Sequence, residues 1–181
     1  MKRLLSVLLL LTLFVVFCKN LQSQVFTKVN ADSLIININK YRNTNVEVEG
    51  IVIHVCGVDG KKMKLSTENG SIIKILPKDS LTSFDKSFFK KKVKVQGLVN
   101  ELRIGKSYID RLEKDKVLLC HIDHTPCKDS VWVRELKESG SANALSKKDT
   151  DKLMQIMEQT GKEYISVIII VAEKVEIIAE K

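Results

Sequence analysis

Alternation of apolar and polar positions predicts five β-strands in this chain. It is clearest in a β-branched run that begins at Val46, where Gly50 in the middle indicates a bulge or a sharp bend. Asn69-Gly70 is a strong hairpin signal between two shorter runs. The predicted strands are Val46–Val55, Met63–Ser66, Ile72–Leu76, Lys92–Val99 and Tyr164–Ile178.

Apolar residues at helical spacing predict three helices, at Val29–Tyr41, Asp79–Phe89 and Asp149–Thr160. Gly161 is expected to end the last of them. Residues 101–116 are expected to be helical or irregular, and residues 120–145 show little periodicity. A large insertion, at about 101–160, therefore separates the fourth predicted strand from the fifth.

Three successive strands, a helix and a fourth strand are the beginning of an OB-fold, a small five-stranded barrel. The predicted fold class is thus mainly β: a five-stranded OB-fold barrel with an N-terminal helix and a large insertion between strands four and five. One domain of about 158 residues is expected after residue 23, because that length suffices for a single core.

The first residues have the order of a secretory signal peptide. Lys2 and Arg3 precede an apolar run that ends at Cys18 and is too short to span a membrane. Cleavage after Ser23 gives a mature chain of residues 24–181, whereas cleavage before Cys18 gives a lipoprotein. The expected location is the periplasm or the periphery of the cell envelope, with membrane attachment only through lipidation at Cys18.

The net charge of +8 comes largely from lysines, which suit solvated surface or an anionic partner. Strands two and three, which form the ligand face of many OB barrels, offer Lys61, Lys62, Lys64 and Lys74. No aromatic residue occurs between Tyr41 and Phe84, so a base-stacking platform is missing and nucleic-acid binding is disfavoured. An unidentified small ligand, glycan or protein partner is favoured instead.

All three histidines lie within three residues of a cysteine. His54 and Cys56 are two apart on the first strand and are expected to leave one face of the sheet. Within the insertion, Cys120, His121, His124 and Cys127 crowd one loop-like segment with Asp123. Thiolates and imidazoles bind zinc and copper, so a metal site formed by both groups is one hypothesis.

Other interpretations of these cysteines remain open. In an oxidising compartment Cys120 and Cys127 can form a structural disulfide, which leaves Cys56 as an apolar core thiol. All three can also be unpaired structural residues. Trp132 is expected to anchor the core. The chain has no Gly-x-Ser-x-Gly, His-Glu-x-x-His or Cys-x-x-Cys motif, so no enzymatic activity is expected.

Four stretches together resemble exported OB-fold proteins related to the tRNA-anticodon-binding-like group. They are Asn45-Val-Glu-Val-Glu-Gly-Ile-Val-Ile-His-Val-Cys56, Gly60-Lys-Lys-Met-Lys-Leu65, Val93-Lys-Val-Gln-Gly97 and Gly161-Lys-Glu-Tyr-Ile-Ser166. The resemblance covers most of the chain after residue 23 and implies the OB-fold. It implies little about activity, because one fold serves many functions.

Overall fold

The structure is a computed structural model that describes residues 25–57, 59–79, 81, 83–121 and 124–178. The predicted signal peptide, residues 1–23, lies outside this part of the chain. None of the helices in the described part has the length and hydropathy needed to cross a membrane.

Along the chain, a short strand and two short helices precede three successive strands, a 3-10 turn, a long strand, three helices and a last strand. The strands are β1 (Thr27–Lys28), β2 (Asn45–Val55), β3 (Met63–Ser66), β4 (Ile72–Pro77), β5 (Lys92–Gly105) and β6 (Tyr164–Ile177). The helices are α1 (Ala31–Ile36), α2 (Ile38–Tyr41), α3 (Lys106–Lys114), α4 (Ser130–Glu138) and α5 (Ala142–Thr160). A single 3-10 turn, Lys86–Phe88, precedes β5.

Five of the strands close into a barrel in the order β2-β3-β4-β6-β5, and β5 pairs back onto β2. Only β4 and β6 run parallel within this ring; the other neighbours are antiparallel. The predicted OB-fold is therefore confirmed. β1 lies outside the ring, where it adds a short parallel pairing to β2.

Side chains that alternate along the strands fill the barrel. Val46, Val48 and Val52 of β2 are buried, as are Val93 and Val95 of β5. Helix α1 closes one end of this core with Leu34, and Asp32 fixes the helix because its carboxylate accepts a 2.5 Å hydrogen bond from the Thr67 hydroxyl. The barrel and the N-terminal helix thus form one hydrophobic core.

The predicted helix over Asp79–Phe89 is wrong, since only Lys86–Phe88 is helical among the described residues of this stretch. Its apolar residues have another role: Phe84 is buried, and Leu81 and Phe88 pack against the barrel core from an irregular loop. The strand predicted to end at Val99 continues to Gly105, so the insertion begins at residue 106.

The insertion folds back onto the outer face of the sheet and builds a second core there. It brings α3, α5 and the segment around Leu119 against the ends of β5 and β6 that extend beyond the barrel. The buried residues of this second core are Ile104, Ile109, Leu112, Leu119, Leu153, Val167 and Ile169. The insertion is therefore a packed layer on the barrel, and it carries its Cys and His residues to the barrel surface.

Candidate functional site

A short hairpin in the insertion positions the cysteines and histidines that follow Leu118. Leu119 and Pro126 form an antiparallel bridge, flanked by hydrogen bonds from Cys120 N to Thr125 O (2.8 Å) and from Cys127 N to Leu118 O (2.9 Å). Leu119 anchors this hairpin in the second core. The hairpin tip consequently lies against the end of β2 and the loop that leads to β3.

The structure brings two histidines together that are far apart in the sequence. The Nε2 atoms of His54, from the barrel, and His121, from the insertion, are 3.2 Å apart. Their ring centroids are 4.7 Å apart, and the rings are nearly perpendicular, at 87°. Two nitrogens that bind one zinc ion tetrahedrally, each at about 2.0–2.1 Å, are separated by about 3.3 Å. The separation of the two Nε2 atoms is close to that value.

The surroundings of His54 favour the neutral form of its ring. A register shift in β2 after Val52 turns His54 onto the outer face, where it pairs with Lys64 of β3. Burial lowers the pKa of His54, and the nearby His121 and Lys64 lower it further. The neutral imidazole is the form that binds metals.

The three cysteines line one cavity beside this pair. The cavity has a volume of about 260 Å³ and opens between the β2–β3 loop, the hairpin and the start of α4. Its walls contain Leu119, Trp132, the three thiols and His121, with two lysines and two aspartates at the rim. These residues are Cys56, Asp59, Lys62, Leu119, Cys120, His121, Cys127, Lys128, Asp129 and Trp132.

All three of these cysteines are free thiols in the structure. Cys120 lies opposite Thr125 and Cys127 opposite Leu118, so the two cysteines occupy diagonal positions of the hairpin. Diagonal neighbours are about 7–8 Å apart, which exceeds the usual Cα separation of about 4.4–6.8 Å in a disulfide. Burial also raises the pKa of Cys127, which favours its protonated thiol. The hairpin register therefore favours separate thiols.

The remaining candidate residues lie in different surroundings. Cys56 lies one residue beyond the end of β2, where its backbone N–H still donates a 2.8 Å hydrogen bond to Lys62 O. His124 adopts a left-handed backbone conformation (φ 55°) at the hairpin tip and is not among the residues that line the cavity.

The four candidate lysines do not share one exposed face. Lys61 is exposed, and Lys62 lies at the cavity rim with its Nζ 3.4 Å from Thr125 Oγ1. Lys74 is buried between β4 and the insertion, with only 7% of its surface exposed. Burial lowers the pKa of the half-buried Lys64. The insertion thus covers part of the face on which an OB barrel commonly holds its ligand.

Trp132 is a site residue that the sequence did not reveal, because a lone Trp is usually a core residue. It is half-buried in the cavity wall. Asp129 places it there, since its carboxylate accepts a 3.0 Å hydrogen bond from the Trp132 backbone N–H and caps α4. The spacing of Asp129 and Trp132, three residues apart, is the sequence signal of this cap.

Among the described residues, no three His, Cys, Asp or Glu side chains converge closely enough to hold a metal ion as they stand. No family model matches the chain, and no curated protein is significantly similar to it. The resemblance to exported OB-fold proteins accordingly stays a prediction.

Proposed function

We propose that this protein is an exported, non-enzymatic binding module that holds a transition-metal ion, zinc or copper, where the barrel meets the insertion. The observation that carries the proposal is the 3.2 Å approach of His54 Nε2 to His121 Nε2. The two rings come from separate parts of the fold, and one nitrogen of each lies within hydrogen-bond distance of the other.

A third protein ligand is expected from the neighbouring thiols. Cys56 is the best placed because it lines the same cavity as His121 and is only half-buried. Cys120 is buried in the hairpin and has less freedom to turn. Metal binding is therefore expected to draw Cys56 toward the histidine pair and to leave one position for water or an external ligand.

The test is metal titration of protein that has been purified without a metal-affinity tag. We expect about one zinc or copper ion per chain, and His54→Ala or His121→Ala should weaken binding by at least about a hundredfold. His124→Ala is the matched control, because this third histidine lies outside the cavity wall. Equal loss in all three variants, or no binding by the original chain, would refute the proposal.

The cavity supports a second candidate function, the binding of a small, largely apolar molecule. Trp132 and Leu119 provide apolar walls, while Lys62, Lys128, Asp59 and Asp129 balance one another in charge at the rim. Trp132 is the only tryptophan in the chain, so its fluorescence reports directly on the cavity. Energy transfer from Trp132 to bound anilinonaphthalene sulfonate, lost in a Leu119→Asp variant that still folds, would support this function; no transfer in the original chain would exclude it.

A further inference from the structure

An exposed apolar patch lies on the outer face of the barrel and contains none of the residues that line the cavity. We define it by Ile51 and Ile53 of β2 and Phe89 of the turn before β5, which are 51%, 40% and 47% exposed. Phe89 lies next to the end of β2, where it shares a shallow hollow with His54, Val55 and Lys86. Three large apolar side chains of β2 and the turn bonded to it are thus exposed to solvent.

The backbone holds this patch rigidly. Lys90 N donates to Val52 O (2.8 Å) and Val52 N donates to Lys91 O (2.9 Å), so the turn is hydrogen-bonded to β2. Phe88 packs against the barrel core, whereas the adjacent Phe89 points outward. The exposure of Phe89 is therefore a consequence of the fold and not of a loose loop.

Lysines surround the apolar patch. We call Lys86, Lys90, Lys91 and Lys92 the lysine rim; all four are exposed. Lys90 Nζ lies 5.5 Å from the centroid of the Phe89 ring. Among the described residues, Lys92 of this rim pairs with Glu49, while Lys86, Lys90 and Lys91 form no ion pair.

Two carboxylates near the rim are already engaged. Asp85 accepts a hydrogen bond from the backbone N–H of Ser87 (2.6 Å), and Glu49 pairs with Lys28 as well as with Lys92. The rim therefore keeps a positive balance around an apolar centre.

We propose that the apolar patch and the lysine rim dock on an anionic lipid surface. An exposed aromatic and two aliphatic side chains can enter the headgroup boundary, while lysines attract anionic headgroups and keep their ammonium groups in water. The combination of exposed apolar side chains with three lysines that form no ion pair among the described residues suits an anionic lipid surface. This proposal does not depend on metal binding, because its residues act independently of the histidine pair.

The test is co-sedimentation of the chain lacking residues 1–23 with phosphatidylcholine vesicles that contain or lack phosphatidylglycerol. This chain is the mature form expected from cleavage after Ser23, and it lacks Cys18, so no lipid anchor contributes to binding. Binding is expected only with phosphatidylglycerol and should weaken with added salt. Phe89→Ser should weaken it about tenfold, and Lys86, Lys90 and Lys91 changed together to Gln about fivefold for each lysine lost.

The matched control changes Lys147, Lys148 and Lys152 to Gln, which removes the same charge from the exposed face of α5. This control should bind as the original chain does, and circular dichroism should show that every variant is folded. Equal weakening by both triple variants would reduce the effect to net charge and refute the proposal. Binding to polyglutamate but not to vesicles would refute it in favour of an acidic protein partner.

Discussion

Gly97 lies where β5 shifts its register against β6. A Cβ atom at this position would overlap the carbonyl oxygen of Val171 and press on the Cα of Ala172, both of which belong to the backbone of β6. Backbone in a barrel strand cannot move aside as a flexible side chain can. Glycine at position 97 is thus a condition of the close approach of these two strands.

Gly97→Ala should consequently lower the free energy of unfolding by about 1–3 kcal/mol, as overpacking of a filled core does. Urea denaturation followed by circular dichroism measures this change. Gly57→Ala is the matched control, since a Cβ there would meet no atom within 4 Å. A control as destabilised as Gly97→Ala would show that the overlap with β6 is not the cause.

The carboxylate of Asp85 should make the turn before β5 sensitive to acid. A hydrogen bond from the Ser87 backbone, followed by one from its side chain, lowers the pKa of Asp85. Because the folded-state pKa lies below the ordinary value, this stabilisation is complete above the ordinary aspartate pKa and is lost as the pH falls through the lowered one. Asp85→Asn should flatten that acid-range loss in thermal melts; an unchanged pH profile would contradict the assignment.

At the residue scale, the sequence indicated which residue types cluster but not which of their side chains lie together in the fold. His54, His121 and the cysteines stood out because those residue types cluster along the chain. His124 clusters equally in sequence, yet its backbone at the hairpin tip keeps it out of the cavity wall. Proximity in sequence does not specify which side chains meet in the fold. The position of Trp132 in the cavity wall depends on how the insertion packs on the barrel, which no local pattern reveals.

The packing of the second core makes a prediction at the scale of elements. Leu153 of α5 is 2% exposed and belongs to this core, which is separate from the barrel interior. Leu153→Ala should weaken the insertion by about 2–5 kcal/mol. Amide hydrogen exchange should then accelerate in α3 and α5 while β2 and β3 stay protected. Uniform acceleration across the chain would mean that barrel and insertion unfold as one unit.

Ile72→Ala is the matched control for this experiment, because Ile72 of β4 is 45% exposed and belongs to neither hydrophobic core. It should leave exchange unchanged in both α3 and α5.

The elements were predictable where local pattern and tertiary packing agree. Met63–Ser66 was predicted with the bounds that the structure shows, because its burial alternates as its sequence does. β5 was predicted too short, since Glu101 interrupts its apolar face. That carboxylate side chain is almost fully buried and interacts with Arg42, Arg103 and Ser166, partners that no local pattern reveals. The prediction of a helix over Asp79–Phe89 was wrong because the apolar residues of this stretch pack against the barrel core without forming a helix.

At the scale of the whole molecule, the proposed metal would cross-link two parts of the fold. His54 belongs to the barrel and His121 to the insertion, so the ion would bind the folded chain and not the separated parts. Free zinc at about a hundred times its dissociation constant should raise the free energy of unfolding by about 2.7 kcal/mol. Thermal melts with zinc and with a chelator measure this, and the gain should vanish in His54→Ala. A gain retained in that variant would place the ion elsewhere.

The overall topology was predictable because strand order and loop lengths limit the ways to close a small barrel. The course of the insertion was not. Its segments between residues 101 and 145 show no sustained periodicity, and the surface that they cover is a property of the finished sheet. Lys74 illustrates this limit: its sequence position suggested a ligand face, whereas only 7% of the residue is exposed in the fold.

The pairing of Gly105 with Tyr164 brings the two ends of the insertion side by side. Residues 106–163 therefore leave the sheet at the end of β5 and return to it at the start of β6, directly beside that point. A two-residue turn between Gly105 and Tyr164 could therefore replace the insertion while the strands keep their pairing. Ile104, Val167 and Ile169 would then have to be made polar, because removal of the second core would expose them. The fold is in this sense modular, because the barrel and the insertion are separate packed layers. The insertion contributes His121, one of the two histidines of the proposed metal site.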